Sequence, residues 1–141
     1  MPTIQDQLTL HEGKPRLKPY PDTKGKLTIG VGRNLTDRGI TSLEASILLA
    51  HDIAYFEIQC SRLPWFPGLD PIRKRVLIDM CFNLGFEGLL MFQTFLKLCA
   101  NQQWEAAAID MLQTKWAMQV GSRATRLSEM LRSGLDYTPP F

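Results

Sequence analysis

The chain of 141 residues has no run of about 18 consecutive apolar residues, the least that a membrane-crossing helix requires. No stable membrane anchoring is therefore expected. It also has no Lys/Arg block. The net charge of +2 tolerates an anionic polymer, but the dense basic stripe of a nucleic-acid binder is missing, so no nucleic-acid partner is expected. Cysteine is scarce: Cys60, Cys81 and Cys99 are odd in number and never spaced C-x-x-C. With only two histidines, this argues against a zinc site, and no metal or cofactor is expected. Free buried thiols in a reducing compartment are the expected state. The opening MPTIQDQLTLHEG lacks a basic segment followed by an apolar stretch, so no signal peptide is read and synthesis and folding in the cytoplasm are expected. There is no internal repeat and no low-complexity linker.

What is present suffices for a core. Hydrophobic residues make up 45% and charged residues 21%, with seven Phe, three Trp and three Tyr. Thr3 with Asp6 resembles a helix start, Ile4 and Leu8 share a face, and Gly13 is placed to end that helix. Glu12 then sits in the last turn, where the helix dipole disfavours a carboxylate. Lys14–Gly39 changes character. Asp22-Thr-Lys-Gly25 is turn chemistry, and Lys26–Val31 alternates, with Leu27, Ile29 and Val31 on one face and Thr28 and Gly30 on the other. A small antiparallel hairpin is predicted. Gly30 and Gly32 strip bulk from its polar face, which suits close approach of a ligand or a β-bulge equally well.

Thr41 with Glu44 is a capping box opening a long helix over 42–62, stopped before Pro64. Asp70-Pro71 supplies the cap and first position of a central buried helix that ends near Gly85. Short helices are predicted around 89–92, 94–100, 103–112, 115–119 and 122–132, with Gly134 ending the last. The tail 135–141 is a docked or loose extension. The fold class is α+β and two-lobed: a β lobe over 13–40, a linking helix over 42–62, and a helical lobe over 63–141 with 1–12 packed on it.

Glu12 and Asp22, with the Thr28 hydroxyl nearby, are candidates for a carboxylate pair. Glycoside cleavage uses two carboxyl groups, one protonated for the leaving oxygen and one ionised for water or carbon. Taken alone, two solvated surface acids explain the pair as well. The order Glu12-Gly13, Asp22-Thr23 and Thr28-Ile29-Gly30-Val31-Gly32 resembles the catalytic segment of the phage-type lysozymes, glycoside hydrolase family twenty-four, best known from the T-even coliphages. The resemblance continues through Phe82-Asn83-Leu84-Gly85, Trp104-Glu-Ala-Ala, Lys115-Trp116 and Arg123-Ala-Thr-Arg126, in the same order along nearly the whole chain.

The resemblance implies a lysozyme-like fold. It implies an endolysin that cleaves the β-1,4 bond between N-acetylmuramic acid and N-acetylglucosamine of peptidoglycan by an inverting mechanism, lysing the host. Glu12 would be the general acid, Asp22 the carboxylate that activates water, and Thr28 a hydroxyl that positions the water. Asn83 would contact substrate, Arg123 would pair with Glu12, and Gly30 would leave room for the sugar. A monomer is implied, held in the host cytoplasm until a separate holin releases it to the cell wall. Trp116, Trp65, Phe66 and Trp104 are read as packing, and Lys24, Arg33 and Lys115 as surface cations.

Departures are visible. The interval from Glu12 to Asp22 is one residue longer than in the T-even enzyme, Arg33 replaces its histidine, and 34–41 is shorter. Two rivals remain: a lytic transglycosylase, which needs one glutamate and no Asp22, and a non-enzymatic wall-binding or virion protein that keeps the fold.

Overall fold

The computed structural model describes residues 1–138. It is α+β, with helices α1 (Ile4–Glu12), α2 (Ser42–Cys60), α3 (Pro71–Leu90), α4 (Gln93–Ala100), α5 (Trp104–Leu112), α6 (Lys115–Val120) and α7 (Ser122–Ser133). Strands β1 (Arg16–Pro21), β2 (Leu27–Gly30) and β3 (Arg33–Asn34) form one antiparallel sheet in that order. The chain forms two compact units, Met1–Leu48 and Leu49 onward, and the boundary falls inside α2.

In the first unit, α1 begins where expected. The Thr3 hydroxyl accepts from the Asp6 N–H, and the Asp6 carboxylate accepts from the Thr3 N–H at 2.7 Å. Both orphan donors at the helix start are thereby met. Gly13, at φ +89°, ends the helix in a backbone state that costs other residues free energy. The sheet is registered by Tyr20 against Thr28 and Thr28 against Asn34, which makes Thr28 the middle of three strands. Thr28 is 5% exposed. The predicted hairpin is present. The third strand was not expected, because two residues are too short for an alternation to register.

In the second unit, Asp70 caps α3 through the Arg73 N–H, with Pro71 at the first position. Gly85 interrupts α3 with φ 74° and ψ 159°, and helical turns resume up to Leu90. Thr114 caps α6, and Gly134 ends α7 in the left-handed conformation. The helices enclose a core that includes Phe66, Leu77, Met80, Phe95, Met111 and Leu131, all nearly inaccessible to water. Trp116 is buried there, and Trp65 and Trp104 pack against it, as expected of packing aromatics. Cys60, Cys81 and Cys99 are free and buried. Arg73 bridges the unit: its Nε donates to the Leu131 carbonyl, its Nη2 donates to the Arg132 carbonyl, and its guanidinium lies 4.5 Å from the Trp104 ring. These contacts satisfy two of the carbonyls left open at the C-terminal end of α7.

Candidate active site

The first unit carries Glu12, Asp22, Thr28 and Gly30. Asp22 stands directly after β1 and organises the turn into β2. Its Oδ1 accepts the backbone N–H groups of Lys24 and Lys26, each at 2.8 Å. The Asp22 N–H donates to the Lys26 carbonyl at 2.9 Å, and the Gly25 N–H donates to the Asp22 carbonyl at 3.0 Å. One carboxylate oxygen is thus committed to the turn. Oδ2 has no hydrogen-bond partner among the described residues and remains available for chemistry.

Thr28 is tied to the same peptide group. Its hydroxyl donates to the Lys26 carbonyl at 2.9 Å, so its proton is already used. Towards a water molecule, Thr28 Oγ1 can then act only as an acceptor. Lys26 is the hub: its N–H holds Asp22, and its carbonyl receives both the Asp22 N–H and the Thr28 hydroxyl. Gly30, at φ +69°, has nothing within 4 Å of where a Cβ would stand, so the backbone there is open to an approaching group.

Glu12 is the last residue of α1. Its carboxyl lies where a side chain on Gly32 would be: a Cβ at position 32 would stand 3.0 Å from Glu12 Cδ and 3.1 and 3.2 Å from its oxygens. The bulk removed from the strand end by Gly32 is therefore filled by the acid itself. Gly32 was not singled out as a site residue in the sequence. Its signal was the second glycine of the Gly30-Val31-Gly32 run.

Arg33 corrects an expectation. It is no free surface cation. Its guanidinium grips Glu44 with two bonds, Nη1 to Oε1 at 2.8 Å and Nη2 to Oε2 at 2.6 Å, and Nη1 also donates to the Gly39 carbonyl at 3.1 Å. Glu44 meanwhile completes the predicted capping box, accepting from the Thr41 N–H at 2.9 Å while its own N–H donates to Thr41 Oγ1. The Arg33 bond, followed by the Thr41 N–H, holds the Glu44 carboxyl down at about 2.

The second unit carries Asn83 and Arg123. The Trp116 indole N–H donates to Asn83 Oδ1 at 2.7 Å. That bond orients the Asn83 amide and leaves its NH₂ with no partner among the described residues. Arg123 is engaged by Asp79, with Nε donating to Oδ1 at 2.8 Å and Nη2 standing 2.7 Å from the same oxygen. Asp79 carried no signal in the sequence, because its role depends on a residue four helices later. Among the described residues no three His, Cys, Asp or Glu side chains gather as metal ligands. No single described helix is long and apolar enough to cross a membrane.

Comparison with known proteins shows the family. The phage lysozyme family profile matches residues 10–132. Probable T4-type lysozyme 1 of Dictyostelium discoideum is 28% identical over 162 aligned positions, covering 94% of this chain and 95% of that protein. Probable T4-type lysozyme 2 of the same organism is 26% identical, again over 94% of this chain and 95% of its own length. The pre-baseplate central spike protein Gp5 of Enterobacteria phage T4 is 28% identical over 94% of this chain, but the match spans 28% of that larger protein. With a family profile covering most of its length and a helix-end glutamate and a turn aspartate in the matched segment, the chain belongs to the phage lysozyme family, and so to the lysozyme-type glycoside hydrolases.

Proposed function

We propose that the chain hydrolyses the β-1,4 linkage from N-acetylmuramic acid to N-acetylglucosamine in peptidoglycan, with inversion, using Glu12 as general acid and Asp22 as the base-like carboxylate. The observation that carries this reading is the division of labour in Asp22: one oxygen is spent on the turn and the other is unspent. A water donating one proton towards Asp22 Oδ2 and the other to Thr28 Oγ1 has a lone pair left for the anomeric carbon. Thr28 serves as an acceptor because Lys26 takes its proton. Glu12, protonated, gives its proton to the leaving oxygen. An inverting enzyme needs roughly 6.5–9.5 Å between the two carboxyls to admit that water.

Asn83 is assigned to substrate through its NH₂, whose orientation Trp116 fixes, and Gly30 is assigned as the unobstructed backbone beside the sugar. Arg123, expected to pair with Glu12, is held by Asp79 instead and is assigned to the substrate as a cation. We further read the chain as a monomeric endolysin, made in the host cytoplasm and released to the cell wall through a separate holin. The match to a spike protein supports a second reading, a wall hydrolase carried on a virion.

Turbidity clearance of outer-membrane-stripped cells tests the enzymatic reading. Glu12→Gln is expected to abolish clearance while leaving the fold intact. Unchanged clearance by that variant would assign the effect to wall binding rather than to cleavage.

A further inference from the structure

Glu12 occupies the last helical position of α1, before a glycine at φ +89°. Its side chain has several rotatable bonds, and a general acid works only when held close to the leaving oxygen; an error of about 1 Å can cost on the order of a hundredfold in rate. Something must set that position. The Glu12 carboxyl lies against the open side of Gly32, whose missing side chain makes the space. Gly32 stands between the end of β2 at Gly30 and the start of β3 at Arg33, at φ +76°. Its backbone could pivot there unless both flanks are held. The β2 flank is held by pairing with β1. The β3 flank is paired through Arg33 and Asn34, and past them the Leu35 N–H donates to the Leu27 carbonyl at 2.7 Å and the Leu27 N–H to Thr36 Oγ1 at 2.8 Å.

Those bonds all run to β2; the Arg33 side chain ties the flank to different elements. A planar guanidinium gripping a carboxylate through two parallel bonds fixes orientation as well as distance. Here it also reaches the Gly39 carbonyl, so one side chain fastens the start of β3 to the 35–40 turn and to the first turn of α2. Glu44 is itself immobilised by the Thr41 N–H.

We propose that Arg33, clamped by Glu44, is a positioning residue that holds the Gly32 backbone as the floor against which the Glu12 carboxyl is set. This rests on the reading of Glu12 as general acid. Neither Arg33 nor Glu44 touches substrate in this arrangement; both act through Gly32.

Glu44→Gln isolates the clamp. Glutamine still accepts from the Thr41 N–H in a capping box, so the α2 start survives while the ion pair is lost. Gly32→Ala tests the floor directly: its Cβ meets the flexible end of the Glu12 side chain and pushes the carboxyl aside, while alanine at φ +76° also strains the floor's backbone, so both parts of the floor are disturbed. In steady-state assays on soluble peptidoglycan fragments, well below each variant's Tm, both variants are expected to lose tenfold or more in kcat with KM within about twofold. Arg33→Lys keeps the charge but not the fork, and is expected to fall between Glu44→Gln and the parent. Should Glu44→Gln fail to fold, Arg33→Lys and Gly32→Ala give the same kcat-against-KM comparison. Parent-like kcat in folded Glu44→Gln and Gly32→Ala, or a loss confined to KM or to Tm, would overturn the inference. Glu12→Gln, run alongside, separates the two claims. If it is inactive while the clamp variants turn over normally, only the positioning role fails; if it is active, the acid assignment itself fails.

Discussion

Replacing Asp22 in two different ways separates its two duties. Asp22→Ala removes both bonds that Oδ1 accepts from Lys24 and Lys26. Each is a bond to a charged acceptor, nominally worth about 1.5–3 kcal/mol, but the Lys24 N–H is exposed and water can replace part of the loss. A net cost of about 1–3 kcal/mol is reasonable. For a chain of this size that is roughly 3–10 °C in Tm. Asp22→Asn keeps an oxygen where Oδ1 stands and changes only the unspent Oδ2, so it should cost less than about 1 kcal/mol. In the proposed mechanism both variants lack the base, and removing a positioned acid or base costs about 10²–10⁴ in rate. Thermal unfolding followed by circular dichroism, together with initial rates of turbidity loss, reads the two effects separately. The expected pattern is a nearly parental Tm and almost no activity for Asn, and a lowered Tm with equally little activity for Ala. An active Asn variant would refute the base role and favour a transglycosylase. An Asn variant as unstable as Ala would refute the division between the two oxygens.

Three other outcomes are expected. The Glu44 carboxyl is held at about 2 by Arg33, against an ordinary 4.5, so its contribution to stability is complete above about pH 4.5 and vanishes as pH falls through 2. Urea unfolding of the parent and Glu44→Gln should therefore differ most near neutrality and converge between pH 4.5 and 2; a constant gap would contradict the pairing. Burial pushes the Cys99 thiol up to about 12 and raises those of Cys60 and Cys81, so a thiol reagent at pH 8 should label no cysteine in the native chain and three after denaturation. Phe95 is fully buried, and Phe95→Ala should cost about 3–5 kcal/mol in urea unfolding; less than about 1 kcal/mol would mean its surroundings collapse freely.

What could be read in the sequence was what is local. Thr3 with Asp6, Thr41 with Glu44, and Asp70 before Pro71 each act within four residues, so the helix starts they set were legible. The Asp22 turn was legible for the same reason. Its resemblance to a family segment then gave Glu12, Asp22 and Thr28 a shared purpose that spacing alone did not. The remainder depends on residues that meet only after folding. Arg33 looked like a surface cation because Glu44, eleven positions away, already had a role in the helix cap. Gly32 looked like half of a glycine pair because nothing in the sequence shows that the end of α1 fills its vacant side. Asp79 and Trp116 acquire roles at Arg123 and Asn83 only through packing of α3 against later helices. Strand β3 was missed because two residues carry no periodicity, while its register is set by Thr28 and Ile29 of the neighbouring strand.

The most direct test is a digest of purified peptidoglycan, with the product ends identified by mass spectrometry and the new anomeric configuration read early by proton NMR. The expected products are muropeptides with a reducing N-acetylmuramic acid end, carrying the added water and formed first as the α anomer. Anhydro-muramic products, lighter by one water, or cleavage at a different linkage, would contradict an acid and a base acting on a solvent molecule between Glu12 and Asp22.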